Sequence, residues 1–179
     1  MRYEAYKTSC TQMVESLYNT HFQHSGRKSL LITGAKGAGK STLVESLTEG
    51  AALPGVLSEV ERGEDGLPVR VWLRERMEER GCLIGTRGAG TMRPHAAAFD
   101  TVGAQLMRDA RLARGEWAVV DEIGFLEESS PRYLDELRRL FEEKRVLAVV
   151  RKADTPFLRE LCAREDCLLI DLDELEARR

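Results

Sequence analysis

Gly34-Ala35-Lys36-Gly37-Ala38-Gly39-Lys40-Ser41 fits the spacing GxxxxGK[ST], a pattern whose chemistry is the cradling of a polyphosphate. Its glycines let backbone N–H groups turn inward around an anion where a β-carbon would clash. Lys40 is expected to place its ammonium between the β- and γ-phosphates. Ser41 offers a hydroxyl to Mg²⁺, an ion that prefers hard oxygen ligands in octahedral array, and Thr42 adds a hydroxyl toward the α-phosphate. Such a cradle needs a carboxylate at the end of a neighbouring strand to hold the metal's water shell. Val119-Val120-Asp121-Glu122 is the best candidate, an apolar run ending in acids. Asp121 is expected to bind Mg²⁺ through water. Glu122 would lie beside the γ-phosphate, orienting or deprotonating an attacking water; its alternative is to cap the turn at Ile123-Gly124. Leu169-Ile170-Asp171-Leu172-Asp173 also ends a strand in acids, but it ranks below Asp121 because it follows a core already complete.

These groups must be positioned by strands and helices. Ser29-Leu30-Leu31-Ile32-Thr33 reads as a buried strand before the glycines, and Ser41 to Leu47 has the apolar spacing of a helix. That helix aims its amide end and dipole at the same anion. Gly55 to Val60 and Val69 to Leu73 read as strands joined by the turn Glu64-Asp65-Gly66, with a third at Gly81 to Gly85. Residues 53–93 are therefore expected to form an antiparallel, β-rich insertion. Phe99, Val102, Leu106, Met107 and Ala110 mark a helix over 96–113. A strand at Trp117 to Val120, a helix opened by Pro131, a strand at Val146 to Val150, a helix capped by Thr155 and a strand at Cys167 to Asp171 follow. The alternation predicts an α/β fold with a mostly parallel central sheet and helices on both faces. Residues 1 to about 24 carry Tyr3, Tyr6, Cys10, Met13, Leu17 and His21 at helical steps, an extra amphipathic helix expected to dock on the rest of a single domain spanning 1–179.

Composition narrows the classes. The chain has 179 residues, 42% hydrophobic and 32% charged, the balance of a globular domain rather than a disordered one. A formal net charge of -3 gives no pull toward nucleic acid or acidic membranes. No apolar run spans a bilayer and Met1 to Lys7 lacks a secretory core, so a cytoplasmic protein is expected. Cys10, Cys82, Cys162 and Cys167 form no CxxC pair and read as reduced thiols; His21 and His24 share a helix face without forming a ligand set. Arg87, Arg93 and Arg151 with Lys152 are candidates to neutralise a transferring phosphoryl group; Arg151, directly after a buried strand, should emerge at the phosphate-binding edge.

With these motifs in place, the chain resembles the P-loop nucleoside-triphosphatase family that includes thermophile NTPases and the human cancer-related nucleoside-triphosphatase. The strongest local match is Val120-Asp121-Glu122-Ile123-Gly124-Phe125-Leu126-Glu127, similar to the family's DEIGxME segment with Leu126 in place of Met. Ser129 or Ser130, Tyr133, Phe99 and the stretch Gly55 to Arg62, similar to GFxTxEVR, extend the resemblance over roughly residues 29–171. It implies slow, base-tolerant hydrolysis of triphosphates, ATP or GTP among them. The chain departs from the family in its helix before Ser29 and in having Asp171-Leu172-Asp173-Glu174 where the family has an Asn-Arg pair. Two other classes remain. One is a kinase, with Arg151, Lys152, Arg159 and Arg164 as a lid and Glu59, Glu61 and Arg62 holding an acceptor. The other is a nucleotide-dependent interaction module contacting a protein partner.

Overall fold

Alternate residues of a buried strand face opposite sides of its sheet, and the computed structural model, which describes residues 22–177, uses both sides. Eight strands form one sheet: β1 (Ser29–Thr33), β2 (Gly55–Arg62), β3 (Pro68–Glu75), β4 (Gly81–Arg87), β5 (Met92–Pro94), β6 (Trp117–Ile123), β7 (Arg145–Val150) and β8 (Cys167–Asp171). Their order is β5-β4-β3-β2-β6-β7-β1-β8. From β2 through β8 every pairing is parallel, whereas β2–β3, β3–β4 and β4–β5 are antiparallel.

The helices are α1 (Lys40–Leu47), α2 (Ala104–Leu112), α3 (Pro131–Glu143), α4 (Pro156–Cys162) and α5 (Leu172–Ala177). Leu30, Ile32, Val119, Leu147 and Val149 pack with Leu43 and Val44 of α1 and Leu172 of α5 on one face. Leu31, Val120, Ala148 and Val150 face the other way, onto Leu106 and Met107 of α2, Leu137 and Phe141 of α3, and Phe157 and Leu161 of α4. The two cores account for the near-continuous apolar runs of β1, β6 and β7, since parallel strands are covered on both faces. Thr155 accepts the Leu158 amide at 3.2 Å, the expected cap of α4.

The structure revises several sequence readings. The 53–93 segment is antiparallel from β2 through β5, as expected, and its first strand β2 also pairs in parallel with β6, which joins the segment to the central sheet. The 96–113 helix contains a π-turn, Phe99–Gly103. This wider turn carries Gly103 onto the buried face in place of Val102, which is 43% exposed. Among the described residues Cys82, Cys162 and Cys167 are free thiols, and no helix is long and apolar enough to cross a membrane. The expected N-terminal helix, with Cys10 and His21, lies outside the described residues apart from a single turn at Gln23–Ser25.

Gly55 opens β2 with φ +152°, and a β-carbon there would stand 1.9 Å from the carbonyl oxygen of Val119. No flexible side chain can yield at that contact, because the obstacle is the backbone of β6. Gly55→Ala is expected to destabilise the fold by more than about 2 kcal/mol, measured as a drop in the urea midpoint; an unchanged midpoint would refute the close approach.

Candidate active site

Strands running in parallel deliver their carboxyl ends to one edge of the sheet, where open α/β folds bind ligands. At that edge Thr33 ends β1, Asp121 and Glu122 stand near the end of β6, Arg151 follows β7 and Asp171 ends β8. The Gly34–Ser41 loop leaves β1 and runs into α1. Gly34 is buried, Ala35, Lys36 and Gly37 are exposed at the crest, and Ala38, Gly39 and Lys40 are half-buried. Ser41 and Thr42 are exposed on the first turn of α1. Gly37 and Gly39 adopt φ +85° and +88°, and a β-carbon on either would meet nothing within 4 Å. In the protein itself, left-handed backbone geometry, rather than a clash, demands glycine here. Lys40 Nζ donates to the carbonyls of Gly34 and Ala35, at 2.9 and 2.8 Å, so its ammonium spans the mouth of the loop.

β7 separates β1 from β6, yet the Ser41 hydroxyl donates to Asp121 Oδ1 at 3.3 Å. Burial pushes the Asp121 carboxyl above its ordinary range; the Ser41 hydrogen bond and the charge of Arg76 oppose that, while Glu122 and Glu45 add to it. A hydroxyl and a carboxylate together are the hard-oxygen donors that suit Mg²⁺. Among the described residues no three His, Cys, Asp or Glu side chains gather as a metal cage. An ion at this place would therefore share its coordination with phosphate oxygens and water, the arrangement usual for Mg²⁺. The residues present fit it.

The Asp121–Glu122 peptide is cis. Glu122 lies beside Arg151, whose Nε donates to Glu122 Oε1 at 2.5 Å. The Ser58 hydroxyl of β2 accepts the Glu122 amide at 3.5 Å. Behind them, a cavity of about 90 Å³ is bordered by Glu122 and Arg151 at its polar end and by Val71, Leu73, Ile84 and Phe99 along its wall. Of the other arginines considered, Arg87 is held by Asp65 at 2.7 Å on the β2–β3 hairpin, and Arg93 lies on edge strand β5. Arg159 and Arg164 pair with Asp154 and Asp166, while Glu59 and Glu61 pair with Arg74 and Arg70. Arg151 is the arginine that stands beside Glu122.

Sequence reasoning undervalued the end of the chain. β8 is the direct parallel neighbour of β1, so Asp171 and Asp173 do not follow a finished core; they adjoin the loop. Both Asp173 oxygens accept the Ala35 amide, at 3.0 and 2.9 Å, and Lys152 bridges Asp173 and Asp171 at 2.6 and 2.7 Å. Lys152, then the Ala35 amide, hold the Asp173 carboxyl below its usual range. The signal was the short apolar run before Asp171, equal in length to β1. Asp173→Ala is expected to raise KM for ATP about threefold to tenfold with little change in kcat, because it loosens ground-state phosphate binding; an unchanged KM would remove Asp173 from the loop's support.

A further acid, Glu127, is buried at 4% exposure and takes the Gly124 amide on Oε1 at 2.5 Å. Burial pushes its carboxyl up to about 7. A folded-state value above the unfolded one means that folding favours the neutral acid. Stability is therefore lost as pH rises from the ordinary carboxyl value of 4.5 to about 7. Glu127→Gln, which cannot ionise, is expected to be more stable than the parent at pH 8 by up to about 3 kcal/mol and to show no such gain near pH 4. Urea melts at the two pH values test this; an equal difference at both would contradict it.

A family model described as NTPase matches residues 29–178. The chain is 26% identical over 151 residues to nucleoside-triphosphatase THEP1 of Thermotoga sp. strain RQ2 and to its counterpart in Thermotoga maritima, covering 81% of this chain and 86% of each relative. The crystal structure of THEP1 from Aquifex aeolicus superposes with a TM-score of 0.64 at 23% identity, covering 80% of this chain and 89% of that one.

Proposed function

Since the chain belongs to the NTPase family and is a nucleoside-triphosphatase, we propose that it cleaves the β–γ anhydride of ATP, GTP and other nucleoside triphosphates in a Mg²⁺-dependent reaction with broad base tolerance. The observation that carries this reading is the 3.3 Å contact between Ser41 and Asp121, with Glu122 as the next residue of the strand. Amides of the Gly34–Ser41 loop wrap the β-phosphate, and Lys40 neutralises charge between the β- and γ-phosphates. Ser41 and Asp121 would hold Mg²⁺, which when bound draws negative charge from the phosphate oxygens. Glu122 accepts a proton from the attacking water as its oxygen bonds to the γ-phosphorus, and the bridging oxygen departs with the nucleoside diphosphate. Arg151 keeps the Glu122 carboxylate aimed until the water is in place. Half-buried carboxylates, engaged by Lys152, stand where the resemblance has an Asn-Arg pair, and the loss of those two donors supports weak discrimination among bases.

Phosphate release from ATP, GTP, CTP and UTP, with Mg²⁺ and with EDTA, tests the proposal. Release from all four that EDTA abolishes is expected; release undiminished by EDTA would overturn the metal assignment. A second reading, transfer of the γ-phosphoryl group to a small acceptor, draws on the cavity that Glu122 borders. Nucleoside diphosphate formed without free phosphate, and only when an acceptor is added, would favour it.

A further inference from the structure

Glu122 and Arg151 sit at the ends of different strands, and the turn after β6 is what joins them. The Ile123 carbonyl accepts the Arg151 amide at 2.8 Å. Gly124 packs along the Arg151 side chain: a β-carbon there would be in van der Waals contact with its Cδ at 3.6 Å and its Cβ at 3.8 Å. The Phe125 ring lies beneath the guanidinium, 5.5 Å from its carbon. Three successive residues thus form the seat in which Arg151 rests while it holds Glu122. Glu127 closes that turn upon itself: its side chain takes the Gly124 amide, and its own carbonyl accepts the Ser130 amide at 2.8 Å. The Glu127 side chain is buried, and Leu126 and Tyr133 share the adjoining cavity wall.

We propose that Glu127 is a positioning residue for hydrolysis: by accepting the Gly124 amide it fixes the 123–127 turn, and the turn seats Arg151 so that it aims Glu122. The inference rests on the hydrolytic role proposed above for Glu122. A part-buried amide left without its acceptor costs free energy and releases the turn, and small misplacements of a catalytic group are costly to rate. The charged and titratable groups facing Glu127 are Glu122 of β6, Arg151 after β7 and Tyr133 of α3. Glu122 disfavours and Arg151 favours its ionisation, but burial dominates. The neutral acid keeps a carbonyl oxygen for the Gly124 amide, and the carboxylate accepts it more strongly. Gln keeps the oxygen without the titration.

The experiment compares Glu127→Leu, Glu127→Gln and the parent in kcat, KM for ATP and the ¹⁵N-resolved Gly124 amide shift against pH. Glu127→Leu is expected to lower kcat about tenfold to a hundredfold with KM within about threefold, and Glu127→Gln to restore kcat to within about threefold of the parent. The parent's Gly124 amide is expected to titrate near pH 7, and that of Glu127→Gln to stay flat. An unchanged kcat in the Leu variant, a Gln variant as impaired as Leu, or a parent amide that does not titrate would each overturn the proposal. The amide titration needs no turnover. Absence of phosphate release from the parent would defeat the hydrolytic reading, whereas a flat amide would defeat the lock alone.

Discussion

Glu122→Gln is expected to lower triphosphate hydrolysis by about 10²-fold or more while nucleotide binding stays nearly intact, because the amide cannot take a proton from water. The substitution is close to isosteric and keeps an oxygen for Arg151 Nε, which now lies 2.5 Å from Glu122 Oε1. The loop, Lys40 and the Ser41–Asp121 contact are untouched, so the ground-state complex should form as before. The check is phosphate release under saturating ATP alongside fluorescent-nucleotide binding. Turnover equal to the parent's would sink the assignment of Glu122. Loss of affinity by more than about tenfold would mean instead that the carboxylate contributes to ground-state binding.

Lys40→Ala should act on both quantities, lowering kcat/KM for ATP by about 10³-fold or more, since a charged contact to the transferring group is lost with its binding role. In the structure its ammonium rests on two carbonyls of its own loop, at 2.9 and 2.8 Å. Removing it deprives those carbonyls of a donor and the phosphates of their main point charge. Equilibrium binding of ATP and of ADP separates the effects. Affinity for ATP should fall further than affinity for ADP, because the ammonium lies between the β- and γ-phosphates. An equal fall would place it lower on the polyphosphate chain.

Much of this was legible because the phosphate loop is local. Gly34 to Ser41 are contiguous, the strand before them is apolar throughout, and the residue types at Gly39, Lys40 and Ser41 each answer one chemical demand. Asp121 was legible for a different reason: a run of buried residues that ends in an acid must surface at the sheet's edge. What stayed hidden was non-local. Nothing in the spacing of Asp171 and Asp173 reveals that β8 lies beside β1, since Ser29 to Thr33 pair with Cys167 to Asp171 from the far part of the sequence. Periodicity assigned Val102 to the buried stripe because it assumes a uniform helix, which the π-turn at Phe99–Gly103 violates. The parallel pairing of β2 with β6 is likewise decided by a neighbour in space, whereas the hairpin signal at Glu64-Asp65-Gly66 announced only the antiparallel pairing of β2 with β3.

The Asp173–Ala35 bond joins residues 138 positions apart. A growing polypeptide emerging from the ribosome therefore acquires its phosphate cradle early but its brace late, after β8 and α5 have been synthesised. By mass action, whatever fills the cradle also grips the brace. Added nucleotide should then slow proteolytic clipping within residues 167–177, an effect far along the chain from the glycines that hold it.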